Sequence, residues 1–153
     1  QRNTALQRGP PMTTTTEFLL PVLALVAWTL VMWFWLYATR IPAMKRAGID
    51  PQEAAHPGTY AHRMPEHARS VADNYNHLHE QPTVFYALMF FIVLTGGATA
   101  GTLSLAWGYV GSRVLHSLVQ STINKVVARF AIFAFGSLLL VCMTVRELLR
   151  VLG

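Results

Sequence analysis

Four apolar stretches separated by polar connections set the pattern of the chain. The first, Phe18–Tyr37 (FLLPVLALVAWTLVMWFWLY), carries no charge. About 20 apolar residues in helical form span the hydrocarbon core of a bilayer. The stretch is longer than the core of a cleaved signal and runs into YATRIP rather than a small-residue cleavage site, so it reads as a retained membrane helix. Pro21 falls near its start, where a helix tolerates proline. The polar residues before it, 1–16, with Gly9, Pro10, Pro11 and a run of threonines, read as a disordered tail, in which Met12 is an alternative start.

Arg40 to Glu66 is a polar connection rich in proline and glycine, with a short helix expected around Pro51–Ala55. After Pro65 the spacing changes. Arg69, Asp73, Asn76 or His77, and Glu80 recur every three or four residues, which is one face of a helix. The same helix is expected to continue through PTVFYALMFFIVLTGGATA, Pro82–Ala100, entering the membrane from a water-exposed extension. Gly96, Gly97 and Gly101 mark the turn at its far end. A third helix, about Leu103–Thr122, is apolar except for Arg113, His116 and Gln120, and Asn124 extends this stripe by one more turn. A fourth runs from about Asn124 to Val151, with Arg129 and Arg146 bounding its uncharged centre.

The pattern predicts an all-α fold, a four-helix bundle integral to a membrane, over residues 17–153. Composition agrees. The chain of 153 residues is 53% hydrophobic and 12% charged, against roughly 25% charged in soluble domains. Its net charge of +5 is scattered between apolar runs, which fits membrane topology and argues against nucleic acid as a partner. Arg40, Lys45, Arg46, Arg63 and Arg69 lie in or just after the first connection, and Lys125 and Arg129 at the second. Arg2, Arg8, Arg146 and Arg150 lie at the opposite side. The bias toward positive cytoplasmic loops then puts both connections in the cytoplasm and both termini outside. The lone Cys142, inside the fourth apolar run, has no intrachain disulfide partner and reads as an inert core thiol.

The candidate chemistry is concentrated where the polar stripe of the third helix meets the start of the second. Arg113 sits about ten residues, roughly 15 Å, into its helix. At that depth an arginine must be paired or solvated. One reading is a structural ion pair with Glu80. The other is a polar cavity in which Arg113, Lys125 and Arg129 receive an anionic ligand, arginine being suited to a carboxylate because its fork binds both oxygens. His77 and His79 point to different faces and cannot share a metal. His77 with Glu80 has the spacing used in bundle metal sites, but one copy does not make a site, so no metal is expected. His116 is open to two readings, a proton-transfer group or a hydrogen bonder of the stripe. His56, His62 and His67 read as solvated. Trp28, Trp33, Phe34 and Trp35 serve either as membrane anchors and packing, or as the lining of a lipid-facing or intersubunit groove.

ADNYNHLHEQPTVFYAL, Ala72–Leu88, and WGYVGSRVLHSLVQSTINKVVARF, Trp107–Phe130, resemble the MAPEG family, the membrane-associated proteins in eicosanoid and glutathione metabolism, and within it the bacterial branch. The most specific part is Arg-x-x-His-Ser at Arg113–Ser117, followed by Asn124 and Arg129. The resemblance implies a homotrimer of four-helix subunits in a bacterial inner membrane, with glutathione between neighbouring subunits near the cytosolic side. It implies that Arg129 stabilises the glutathione thiolate, and that Glu80, Arg113 and His116 match other glutathione-site positions. His77 stands where the family pattern has asparagine, and Asn74, beside Asp73, where it has arginine. Gln120 and Phe133 replace aromatic hydroxyls, and Phe130 stands at a hydroxyl position. Asn76, His77, Gln120 and Lys125 are the candidates to replace the missing contacts. The expected activity is a glutathione-dependent transferase or peroxidase acting on hydrophobic electrophiles that enter from the bilayer. Asp73, His77, Phe130 and Phe133 favour the alternative, a non-catalytic protein that binds lipid or serves a larger membrane complex.

Overall fold

The computed structural model describes residues 14–56 and 58–153, and the described residues are helical with no strand. The tail expected over residues 1–16 lies outside them up to Thr13, as does Pro57. Thr14 caps the first helix, α1 (Thr15–Arg46): its hydroxyl accepts from the Glu17 N–H at 3.2 Å, and the Glu17 carboxylate accepts from the Thr14 N–H at 3.1 Å. This reciprocal pair satisfies two of the donors a helix start leaves open.

Helix α1 runs nine residues past the apolar stretch, into what the sequence suggested was a loop. The extension has its own packing. Ala43 is buried with Ile49, Tyr60, Met64 and Ala68 in a small second core outside the main one. Gly48, at φ 61, then turns the chain. The turn Pro51–Ala55 is present as expected, as a 3-10 helix, followed by a second at Ala61–Arg63. Arg63 closes this unit: it pairs with Glu53 at 2.6 Å and donates to the Ala47 and Gly48 carbonyls at 3.2 Å. The Asp50 backbone N–H, and after it the Arg63 guanidinium, hold the Glu53 carboxyl below the usual carboxylate range. A depressed folded value stabilises above the unfolded value and is lost as the pH falls through it. The protection of the Ala47–Ile49 amides, relative to their intrinsic exchange rates, is therefore expected to weaken as the pH falls through the carboxylate range, and Glu53→Gln to show the weak protection at neutral pH.

The expected second helix is two. α2 (Glu66–His77) and α3 (Gln81–Leu94) are separated by Leu78–Glu80. Pro82 explains the break: it has no N–H to give the Leu78 carbonyl, and its ring would collide with that carbonyl in a continuous helix. Helix α4 (Ala100–Ser121) is capped by Thr99 and ends at a tight turn in which Asn124 takes φ 47. Asparagine is among the few residues that adopt that conformation readily. Helix α5 (Val126–Leu152) completes the chain.

Helix α4 packs most extensively on α5 and also contacts α1 and α2, while α3 lies against α1 and α5. One narrow stripe of α1 (Phe18, Leu25, Met32, Leu36) meets Phe85, Met89 and Ile92 of α3 and Tyr109 of α4 in the core. Tyr109 stacks on Phe85 at 4.6 Å. Helices α1 and α5 are long and apolar enough to cross a membrane, yet only 28% and 17% of their most apolar windows are buried. Their remaining leucine, valine and phenylalanine side chains face outward, as lipid-exposed helices require and core helices of soluble proteins do not. Cys142 belongs to that outward face. The expected core thiol is exposed, because Leu140 and Met143 take the inward positions of its helical turn.

Gly136 sets the approach of α5 to α4. A Cβ there would run into the Ser112 hydroxyl, whose Cβ lies 3.4 Å away. That hydroxyl is tied to the Tyr109 carbonyl at 2.6 Å, so it cannot simply swing aside. Gly136→Ala is expected to cost about 1–3 kcal/mol, the usual penalty of overpacking. Most of it should vanish in a Ser112→Ala background, as thermal unfolding in detergent would show.

Candidate functional site

Two polar stripes face each other across the α2–α4 seam. On α4 they comprise Arg113, Ser117, Gln120 and Ser121, with Asn124 in the turn beyond; on α2 they comprise Ser70, Asn74 and His77. Steps of three and four keep each set on one side of its helix. Two hydrogen bonds fix the antiparallel register. The Asn124 side-chain amide donates to the Ser70 hydroxyl at 3.1 Å, and the Arg113 guanidinium donates to the His77 carbonyl at 3.2 Å. At the break after His77 that carbonyl keeps only a long contact of 3.4 Å from the Glu80 N–H, and the guanidinium is its second donor.

A cleft of about 240 Å³ opens beside the seam, lined by His77, His116, Val126, Arg129, Phe130 and Phe133. His116, 4% exposed, sets its ring edge-on to that of His77 at 6.1 Å. Arg129 reaches the cleft from the first turn of α5. It donates to the Asn124 side-chain carbonyl at 2.6 Å, while its Nε has no partner among the described residues. Arg113 is 1% exposed, with its guanidinium carbon 5.4 Å from the centre of the Phe133 ring. Its Nε and Nη1 also lack partners among the described residues. The cleft thus joins one cationic wall to one apolar wall.

The sequence-based site residues separate into groups. His77, His116 and Arg129 line the cleft, and Arg113 lies behind Phe133, one cleft-lining residue away. Glu80 does not pair with Arg113, as one reading of the sequence expected. The helix break leaves it exposed at the mouth, where its carboxylate accepts from His77 Nδ1 at 2.9 Å. Gln120 is buried in the seam rather than in the cleft wall, and Asn76 and Lys125 are exposed and do not line the cleft. His79 points away from His77, its Nδ1 meeting the Tyr75 carbonyl at 2.9 Å. Among the described residues no group of three or more His, Cys, Asp or Glu side chains is placed to hold a metal ion. The sequence marked Asn74 only as a departure from the family pattern and Ser117 only as the end of a motif, and Ser121 was not singled out. Their signal was their spacing from Ser70, Arg113 and Asn124.

This arrangement costs stability. A buried donor or acceptor without a partner is worth about 1–3 kcal/mol against folding, and more for a charged group. Arg113, Asn74, Ser117, Gln120 and Ser121 all carry such atoms. A chain keeps that many together where the groups meet a ligand or water.

Comparison with known families supplies the affiliation. The MAPEG family matches residues 18–149, nearly the whole of the described chain. The chain belongs to the MAPEG family. No curated protein and no solved structure matches it. Membership makes this a membrane protein of a family named for glutathione and eicosanoid metabolism, in keeping with the outward apolar faces of α1 and α5. In this MAPEG chain Asn124 joins Arg129 of the cleft to Ser70 of the seam.

Proposed function

We propose that the chain is a glutathione-dependent membrane transferase or peroxidase for hydrophobic electrophiles, with the cleft as its glutathione site. The observation that carries this is the set of unpartnered guanidinium nitrogens, on Arg113 and Arg129, at and behind a cleft whose other wall is apolar. Glutathione is an anionic tripeptide and supplies the nucleophilic thiol. The donors fit it: arginine forks bind carboxylates at two oxygens, and the His77 and His116 rings in the cleft wall add further polar partners. Arg129 holds negative charge at sulfur, and electrostatic stabilisation of that kind is among the larger contributions an active site makes. In conjugation sulfur bonds to the electrophilic carbon, the leaving group departs with its electron pair, and the thiol proton goes to solvent. In the peroxidase reaction two thiols become a disulfide while the peroxide becomes an alcohol and water.

The exposed Val126 and Phe130 leave one side of the cleft uncovered, which supports a homotrimer with a second subunit closing it. Helix α3, at 14 residues, is about 21 Å long. A bilayer core is about 30 Å thick. The break at Leu78–Glu80 therefore falls inside the apolar layer or at its edge, level with Arg113, which follows Ala100 by about 20 Å of helix. Lipophilic substrate would reach the Phe130 side directly from the bilayer. The positive residues of the first connection, with Lys125 and Arg129, support a multi-pass arrangement in a bacterial inner membrane with this end cytoplasmic.

The test is conjugation of a chlorodinitroarene, or reduction of a lipid hydroperoxide, by the detergent-purified protein with and without glutathione. Glutathione-dependent turnover supports the proposal. Phe130 and Phe133 in the cleft wall favour a second reading, a non-catalytic lipid-binding or accessory protein. A stoichiometric copurifying partner, with no turnover, would select it.

A further inference from the structure

We infer that the α2–α4 seam binds a row of ordered water molecules, and that Asn74, through this water, is a positioning residue for Arg113. The two hydrogen bonds that fix the register, Ser70–Asn124 and His77–Arg113, bracket a stretch in which Asn74 of α2 faces Ser117, Gln120 and Ser121 of α4. These four side chains are each no more than 1% exposed. Both polar atoms of Asn74, the Ser117 and Ser121 hydroxyls, Gln120 Oε1 and two nitrogens of Arg113 have no partner among the described residues.

The chemistry of the set selects the occupant. Arg113 Nε, one N–H of Arg113 Nη1 and Asn74 Nδ2 are donors to the seam, which leaves one N–H on each of Nη1 and Nη2 for a ligand; Asn74 Oδ1 and Gln120 Oε1 are acceptors, and the hydroxyls are both. An anion would serve the donors and repel the acceptors. Water serves both, and a buried water typically makes about three hydrogen bonds to groups of this kind. The row ends at Arg113 on one side. On the other it reaches Asn124, which holds Arg129. One hydrated seam therefore backs both arginines of the cleft. It fixes the Arg113 guanidinium against Phe133 without a carboxylate, which would cancel the charge a ligand needs.

The positioning role is stated for the glutathione site proposed above, but the seam itself is tested without glutathione. The experiment is a structure of the detergent- or nanodisc-embedded protein at a resolution that shows water, for the native chain, Asn74→Leu and Asn74→Ser. The expected result is density within hydrogen-bonding distance of Asn74 and Ser117 in the native chain. It should be lost in Asn74→Leu together with a displaced Arg113 guanidinium, and be restored in Asn74→Ser. A dry native seam overturns the inference, as does an unmoved Arg113 in a dry Asn74→Leu seam. If Asn74→Leu does not fold, the Ser117→Ala, Ser121→Ala double variant gives the same comparison. Where glutathione binds, its Kd is expected to rise about tenfold in Asn74→Leu, the scale of one weakened hydrogen bond to a charged group, and to recover in Asn74→Ser. An unchanged Kd beside a moved Arg113 overturns the link to the ligand.

Discussion

Arg129→Ala is expected to lower turnover about 10²–10³-fold, the loss typical when one stabiliser of negative charge is removed from an active site. The fold should survive. Arg129 is half-buried, and its hydrogen bond within the protein is to Asn124. That asparagine keeps Ser70 as a second partner, and its turn is held by its own backbone bond to Val119 at 2.8 Å. Gel filtration in detergent should therefore be unchanged while the conjugation rate collapses. Arg129→Lys should fall between the two, because it keeps the charge and loses the fork. Unchanged turnover in Arg129→Ala would remove Arg129 from the chemistry.

Arg113→Met should separate binding from stability. Each hydrogen bond from a charged donor to a ligand carboxylate is worth about 1.5–3 kcal/mol, a factor of roughly 10 to 150 in Kd. Losing the Arg113 fork should take glutathione beyond measurable affinity. Stability is expected to move the other way. The guanidinium is 1% exposed, its one hydrogen bond is to a backbone carbonyl, and it forms no ion pair among the described residues. Replacing a buried charge by an apolar side chain of similar length is often neutral or stabilising. Methionine at this position should leave the unfolding temperature equal to or above that of the native chain. A sharp fall would mean that Arg113 is a structural pin rather than a group kept for a ligand.

Much of the fold was legible because membrane helices write themselves as uninterrupted apolar runs. The runs of α1, α4 and α5 were placed within a few residues at the ends that a bilayer defines. What lay beyond the apolar layer was harder. The last turns of α1 depend on Ile49, Tyr60 and Met64, which are dispersed through a connection dominated by proline and glycine. The break between α2 and α3 was hidden because the three-and-four spacing runs on through Glu80, although Pro82 was the available sign. That break decides where Glu80 goes, and so decides that it meets His77 rather than Arg113. The α4 stripe of Arg113, His116 and Gln120 was visible because such residues are rare in apolar helices. The seam role of Ser117 and Ser121 was not, because serine is tolerated on any face of a helix. Their importance appears only with Asn74 opposite them. The cleft joins residues from α2, α4 and α5, and no local pattern records that meeting.

Calorimetric titration of glutathione into the purified protein at low salt, with Arg113→Met as the control, tests the central claim most directly. Saturable binding in the micromolar to low-millimolar range, abolished in a folded Arg113→Met, is the predicted result. No heat of binding from a folded native protein would contradict it, and would turn the search toward lipids and partner proteins.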